Sequence, residues 1–502
     1  IPVIVNHMNI KELTKDVNTP EKVAVIIKKN GTRISVARAC MKPGTILNHG
    51  DTITRNGETF VVTNCKFELR DGDIIRRRSP HTLEEKIIPT VLPERRHVAI
   101  DIGDKLERYL QNGDYLLLNR QPTLHRNSMQ GMKVVLLPGK TFRVNLAITA
   151  GFNVDFDGDE FNAFIGQHLE SKAELKFISN AKYNILSAQS NKPEMVIVQD
   201  SLLGAYVMTK QIVRLSKRDF QQCIMRINHI YDYECRLRQI QTLRGETGYT
   251  AHALYGFLFP PDFHYKTQHL EIRYGTLVSG FFDKQSLKGT KKSIIRVLCM
   301  EYNEKITARF IDNVQFLTNA FLEIFPFSIG LHDCLIGSAT KAEEIKNTSQ
   351  RFFLEASKVE TTTDIGYIRE TRINVALNKA KDIGLRIAKD ALAPDNNFLN
   401  TVVSGSKGDF FNIAQITGLL GQQNINSQRP RFCLSNNSRT LVHYPECITN
   451  DELKYRSRGF VASSFIQGMH PDEMFFHAMT GREGMTKTAM GTAASGYLQR
   501  SI

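Results

Sequence analysis

The 502-residue sequence has no tryptophan, no apolar run long enough to cross a membrane, and no cysteine pair at zinc-ribbon spacing. The missing tryptophan excludes no class of function. A membrane-spanning helix needs about 18 consecutive apolar residues, so a span is excluded. The chain opens Ile1-Pro2-Val3-Ile4-Val5, without Met and without a basic stretch running into an apolar one, and no secretion signal is expected. The eight cysteines, Cys40, Cys65, Cys223, Cys235, Cys299, Cys334, Cys433 and Cys447, are scattered and never fall as Cys-x-x-Cys. That argues against a zinc ribbon and against a disulfide scaffold; free thiols in a reducing, intracellular compartment are the simple reading. Internal repeats and low-complexity tracts are absent too. Acidic residues are scarce beside basic ones: 51 Asp and Glu against 65 Lys and Arg, a formal net charge of +14. This excess points to a polyanion such as nucleic acid, with a solvated basic surface as the plainer alternative.

What is present is a globular composition, 41% hydrophobic and 23% charged, long enough for about three domains. Residues 1–210 read as short strands. Val23-Ala24-Val25-Ile26-Ile27, Thr59-Phe60-Val61-Val62 and Tyr115-Leu116-Leu117-Leu118 are β-rich and separated by turn signals at Asn30-Gly31, Asn56-Gly57 and Asn112-Gly113. The pattern predicts a barrel-like, strand-rich domain. Residues 210–338 are mixed: Ser216 and Asp219 form a capping box before a helix expected to run through Ile224 and Ile227, and Tyr274-Gly275 marks a hairpin. Residues 338–392 predict two antiparallel helices, the second with Ile373, Leu377, Ala380, Ile387 and Ala391 near one face and Pro394 at its end. Residues 395–470 look loop-rich, and a helix is predicted from Pro471, with Asp472 and Glu473 suiting its dipole. That helix reaches Ile502 without a stop signal and the first residues look internal, so the chain is expected to be a fragment of a longer polypeptide or one of several chains in a unit.

The sharpest motif is Asn153-Val154-Asp155-Phe156-Asp157-Gly158-Asp159-Glu160. An extended backbone would point its three alternating aspartates to one side. Converging carboxylates repel unless protonated or neutralised, and all-oxygen donors suit a hard cation, Mg²⁺ foremost. Gly158 would let the backbone bend so that the third carboxylate closes on the same ion. An EF-hand fails: counted from Asp155, Gly comes fourth rather than sixth, and the twelfth residue is Gly166 rather than Glu. A solvated acidic turn is the usual meaning of such triplets. The apolar flanks Phe152, Val154, Phe156 and Phe161 argue for an embedded site instead. Gly139-Lys140-Thr141 lacks the earlier glycine of a phosphate loop, and Arg76-Arg77-Arg78, Arg95-Arg96 and Lys291-Lys292 read as solvated charge runs or phosphate contacts. In the last helix Gly481, Gly484, Gly491 and Gly496 each cost up to about 1 kcal/mol relative to Ala. Either a flat partner approaches the backbone there beside Thr488, Ala489, Thr492 and Ala493, or the glycines pack tightly on another element.

With these motifs in hand, the sequence resembles the largest subunit of multisubunit DNA-dependent RNA polymerases. Asn153 to Asn162 looks like the family's magnesium-holding signature, and Asn119-Arg120-Gln121-Pro122-Thr123-Leu124-His125 like its nucleotide-contacting segment. Val198-Gln199-Asp200, Ser404-Gly405-Ser406-Lys407-Gly408 and Phe475-Phe476-His477-Ala478-Met479 with Gly481-Arg482-Glu483-Gly484 match in the same order. The resemblance implies an α+β multidomain chain. It would hold an active-site domain with a double-psi β-barrel over 1–209, a mixed pore domain over 210–337 and a funnel helical hairpin over 338–403. A loop-rich pore or cleft segment over 404–470 and a truncated bridge helix over 471–502 would follow. Asp155, Asp157 and Asp159 would hold the first Mg²⁺, and Asp155 would help bind a second ion arriving with the nucleoside triphosphate. Two such ions about 4 Å apart activate the 3′-hydroxyl and neutralise the leaving pyrophosphate. Arg120, helped by Gln121 and Pro122, would contact the ribose 2′-OH, and Asn153 would lie near the 3′-OH. Thr488, Ala489, Thr492, Ala493 and Tyr497 would lie beside the template base. The basic excess would line a channel for the DNA template and the RNA–DNA hybrid.

Val154, Phe161 and Gly491 depart from the family pattern and suggest a divergent member encoded by a large DNA virus; the expected place is intracellular, nucleus or cytoplasm, and host cytoplasm or virion if the chain is viral. The family's zinc-bearing clamp and its trigger loop fall outside this sequence, so no zinc is expected in it, and the second-largest subunit and the other subunits are implied partners. Two rivals stand beside the catalytic-core reading: a non-catalytic nucleic-acid-binding or assembly module when isolated, and a single-chain polymerase of the two-barrel type, for which no second barrel segment is evident.

Overall fold

A computed structural model describes the chain except residues 20–21, 37–46, 48–50, 56, 63–72, 79–84, 89–97, 231, 246–247, 337–338 and 362–364, and except some side chains within 339–391. Cys40, Cys65, Asn56 and Arg95-Arg96 fall outside the described residues; the described cysteines are free thiols. The fold is mixed α and β, in two compact units. The first comprises Ile1–Gln121, Met129–Phe142 and Glu160–Ala181; the second comprises Pro122–Ser128, Arg143–Asp159 and Lys182–Ile502.

In the first unit the strands β1 (Pro2–Ile4), β2 (Val23–Ile27), β3 (Arg33–Ser35), β4 (Thr52–Arg55), β5 (Glu58–Val61), β6 (Ile74–Arg78), β7 (Glu85–Ile88), β8 (Lys105–Arg108), β9 (Tyr115–Asn119), β10 (Met129–Lys133) and β11 (Asn162–Phe164) form antiparallel sheets. The sheet orders are β1-β8-β2-β3, β5-β4-β6-β7 and β10-β9-β11. The three β-rich runs of the sequence are all strands. Alternation puts Val23 and Ile26 of β2 inside, where the helix Ile10–Val17 adds Leu13 and Val17 to a core with Val3, Val5 and Leu106. The middle sheet has a small core of Ile53, Val62 and Ile75, edged by paired guanidiniums: Arg55 on Asp73 and Arg77 on Asp51. Arg77 of the arginine run is therefore an ion-pair partner rather than a solvated charge.

The sheet around β9 matters most, because β9 leads into Arg120 and β11 follows the acidic loop. The helix Leu169–Phe177 crosses β10 so closely that a Cβ at Gly131 would lie 2.6 Å from the Leu175 carbonyl oxygen. Gly131 also donates its N–H to the Ser179 carbonyl at 2.7 Å. The Gly131→Ala substitution should therefore push strand and helix apart and lower unfolding free energy by about 1–3 kcal/mol in urea titrations. A change below 0.5 kcal/mol would show that the contact relaxes freely.

In the second unit the helices Gln199–Lys210 and Glu304–Ile324 pack at close range, a Cβ at Gly204 coming 3.0 Å from Thr318 Cβ. Around them lies a fully buried aromatic core that includes Tyr255, Phe263, Phe282 and Phe310. Ser216 caps the helix Lys217–Ile224 by accepting from the Asp219 N–H at 3.1 Å, as its sequence predicts, but the helix ends at Ile224; Ile227 is buried in the turn beyond it. The strands Leu270–Arg273 and Thr276–Gly280 form the hairpin turned by Tyr274-Gly275.

The two predicted helices are Ala339–Glu360 and Gly366–Ala391. Ile373 and Leu377 are buried with Phe352, Phe353 and Ala356; the side chains of Ala380, Ile387 and Ala391 lie outside the described residues. Tyr455 and Phe460 complete this core from the following segment. That segment is less loop-like than its composition suggests. It carries the helices Asn397–Ser404, Phe410–Ile413 and Asp451–Arg456 and a short strand pair, Gly421–Gln422 with Phe460–Val461.

The final helix runs unbroken over Pro471–Ser501. Its buried Glu473 accepts from the His470 N–H at 3.1 Å, the Ala462 N–H at 3.2 Å and the Ser463 hydroxyl at 2.7 Å, which fixes the start. At Gly481, Gly484, Gly491 and Gly496 nothing lies within 4 Å of where a Cβ would stand. Among the described residues nothing packs tightly on these glycines, one of the two explanations for them.

Candidate metal centre

The chain enters the acidic loop under tight local control. Asn145 caps a turn over Leu146–Ile148 by accepting from the Ala147 N–H at 2.9 Å. The Thr149 hydroxyl donates to the Leu146 carbonyl at 2.6 Å, and a single helical turn, Thr149–Phe152, follows. Ala147, Ile148 and Phe152 are buried and hold this stretch in place. Asn153 ends the turn in the left-handed region at φ 48°, a conformation Asn tolerates better than most residues. The Val154 N–H still reaches the Thr149 carbonyl at 3.1 Å.

Beyond Asn153 the backbone is bent, not extended. Strand-like alternation therefore does not gather the aspartates. Gly158 does, with φ +121°, a conformation closed to ordinary side chains. The bend brings Asp159 back so that its Oδ2 accepts from the Asp155 N–H at 3.1 Å. Asp155, Asp157 and Asp159 each offer a carboxylate oxygen within 4.8 Å of the other two, the one such acidic cluster among the described residues. All three reach solvent. The apolar flanks do not bury the site as the sequence suggested: Phe152 is 2% exposed and anchors the loop, but Phe156 is 68% exposed. The Asp157 carboxyl is held above its usual range, first by the hydrogen bond it shares with Asp155 and then by the charges of Asp155 and Asp159. Like charges gathered this closely are what a cation would relieve.

The other candidate residues fall on two elements. Arg120 follows directly on β9, with Gln121 and Pro122 exposed after it. Thr488, Ala489, Thr492, Ala493 and Tyr497 lie along one exposed face of the long helix, at spacings of four, with Tyr497 76% exposed. The hydroxyls of Thr488 and Thr492 donate back to the carbonyls of Gly484 and Thr488, at 2.9 and 3.0 Å. No local pattern pointed to Gln499, whose amide donates to the Thr123 carbonyl at 2.6 Å and ties the end of this helix to the segment after Pro122. Nor was Asn145 singled out, although Asn just before an apolar helical turn is the ordinary signature of a cap.

Comparison with known proteins decides the family. Four consecutive family models match: RNA polymerase Rpb1 domain 2 over residues 1–181, domain 3 over 184–334, domain 4 over 355–461 and domain 5 over 468–502. This chain belongs to the RNA polymerase Rpb1 family. Among its relatives is a protein of Invertebrate iridescent virus 6 named as a DNA-directed RNA polymerase II subunit RPB1 homolog. It is 40% identical over an alignment of 555 positions that takes in 99% of this chain and 53% of that protein. Another, from Frog virus 3 (isolate Goorha), has a name that marks it as a DNA-directed RNA polymerase, 008R. It is 35% identical over 510 positions, covering 100% of this chain and 37% of that protein. The chain thus spans about half the length of the first and less of the second. Both relatives are viral, in line with a divergent viral Rpb1. Among the described residues no helix is long and apolar enough to cross a membrane.

Proposed function

We propose that this chain is the catalytic core of an RNA polymerase largest subunit, adding ribonucleotides to an RNA 3′ end on a DNA template within a multisubunit complex. The observation that carries this reading is the gathering of Asp155, Asp157 and Asp159 within 4.8 Å. The donor set fits Mg²⁺. It is all carboxylate oxygen and open to solvent, where waters and substrate phosphates would complete the shell of a hard cation. When bound, Mg²⁺ ions supply a more nucleophilic 3′-hydroxyl and a neutralised pyrophosphate leaving group.

The chain's own residues do the rest. The three aspartates would hold the first ion, and Asp155 would help bind the ion that comes with the nucleoside triphosphate. Arg120, with Gln121 and Pro122, selects ribose through its 2′-hydroxyl, and Asn153 orients the 3′-hydroxyl. Thr488, Ala489, Thr492, Ala493 and Tyr497 present a small-residue face and one aromatic ring to the template base. In this reading residues 1–209 hold a double-psi barrel, 210–337 the pore, 338–403 the funnel hairpin, 404–470 a further pore or cleft segment, and 471–502 the bridge helix. The second-largest subunit is the main partner.

Crystals of the complete polymerase soaked in Mn²⁺ test the site. Anomalous density is expected among the carboxylates of Asp155, Asp157 and Asp159. With every subunit present and no peak there, the metal assignment fails.

A further inference from the structure

We infer that Asn145 is a positioning residue for the acidic loop, fastening the chain that enters the loop to the long helix Glu304–Ile324. This rests on the proposed metal site. Asn145 is exposed, yet its side chain makes three hydrogen bonds. Its Oδ1 accepts from the Ala147 N–H and from Gln315 Nε2, each at 2.9 Å, and its Nδ2 donates to Asp312 Oδ1 at 2.7 Å. An ordinary helix cap satisfies only a nearby backbone donor. This one also reaches 167 and 170 residues along the chain.

Both ends of the strut are firm. Gln315 is buried between Val314 and Leu317 on a helix that packs closely on Gln199–Lys210, and it also donates to the Ile311 carbonyl at 3.3 Å. Burial raises the Asp312 carboxyl, and the Asn145 amide works the other way by favouring the charged form. On the loop side the Ala147 and Ile148 N–H groups donate to Asn145, the Thr149 hydroxyl donates to the Leu146 carbonyl, and the Val154 and Asn153 N–H groups donate to the Thr149 and Ala150 carbonyls, so successive overlapping turns link Asn145 to the start of the loop. Packing cannot hold carboxylates that reach solvent, so their placement depends on the backbone that delivers them. Partners bonded directly to metal ligands typically change affinity by about 10–100-fold when removed, and Asn145 acts one step further out, through the backbone, so the low end of that range is expected.

The test uses the assembled polymerase with four forms of this chain: unchanged, Asn145→Asp, Asp312→Asn and the double variant. Asn145→Asp sets one carboxylate against another where an amide now donates. The double variant keeps all three hydrogen bonds, because the carboxylate at 145 then accepts from the amide at 312. Two readouts are taken: the Mg²⁺ concentration for half-maximal nucleotide addition, and the Fe²⁺ concentration for half-maximal hydroxyl-radical cleavage of the chain within 153–159. Asn145→Asp should raise both by about tenfold or more, and the double variant should restore both. Unchanged metal dependence in Asn145→Asp, or a double variant no better than the single, overturns the inference. Gln315→Met removes one donor without adding charge and carries the test if the aspartate variants do not assemble; unchanged metal dependence there has the same consequence. Asp157→Ala separates this inference from the site it rests on. If that variant is inactive while the Asn145 variants bind metal normally, only the strut is wrong.

Discussion

Asp157→Ala in the assembled polymerase should lower the rate of ribonucleotide addition by about a thousandfold or more, with subunit assembly unchanged. The side chain is exposed and at the tip of the bend, so nothing in the fold depends on it. Its value lies in the site. Its carboxyl is held above the usual range by Asp155 first and Asp159 after. A cation relieves that repulsion, so Asp157 should be ionised when metal is bound and take up a proton more readily than an ordinary carboxylate when metal is withdrawn. Acidification should therefore weaken metal retention in the unchanged enzyme, and raising Mg²⁺ should recover it. Phe156→Ala is the control. Phe156 is also exposed on the same loop and carries no donor, so its loss should change the rate far less. Normal turnover by Asp157→Ala would remove the basis for the polymerase mechanism proposed here.

That three oxygen donors would meet with a bendable glycine between them was legible in advance, because oxygen donors, charge and a residue free to adopt positive φ are properties of residue types. The way they are gathered was not legible. Alternation suggested a strand, and the loop is bent at Gly158 instead. Apolar flanks suggested burial, and Phe156 faces solvent while Phe152 is buried. Local patterns do not say which side of a loop tertiary packing will cover. The same limit hid Asn145, Gln315 and Asp312, whose meeting spans 167 residues or more of sequence. Local signals did better where the physics is local. The Ser216 cap, the Tyr274-Gly275 hairpin and the helix from Pro471 all formed, since each depends on residues within a few positions of one another. The four glycines of that helix were open to two explanations, and the empty space around them leaves the exposed backbone as the feature to explain.

Glu370→Gln should destabilise the second unit by about 3 kcal/mol at pH 7, the low end for breaking a buried ion pair because Glu370 keeps 33% side-chain exposure. Its carboxylate takes both Arg429 nitrogens, at 2.8 and 2.7 Å, and Arg458 at 2.9 Å. The Arg429 side chain is only 4% exposed, so removing the counter-charge strands a guanidinium away from water. Burial alone would raise the Glu370 carboxyl; the Arg429 hydrogen bonds and the charges of both arginines outweigh it and hold it below the usual range. The stabilisation is therefore full above the unfolded value of about 4.3 and lost as pH falls through the lower folded value. Urea titrations of the two forms should differ at pH 7 and converge in acid. A loss under 1 kcal/mol at neutral pH, or an equal loss in acid, would show that this cluster is not an ion-pair lock. The position of the lock gives it reach. Arg429 follows the loop in which the Asn426 N–H donates to Glu483 on the long helix at 2.7 Å, and Glu483 pairs with Lys487 at 2.6 Å. Loosening Arg429 should therefore free the first half of that helix as well, read as faster amide hydrogen exchange around residues 480–487 in Glu370→Gln than in the unchanged chain.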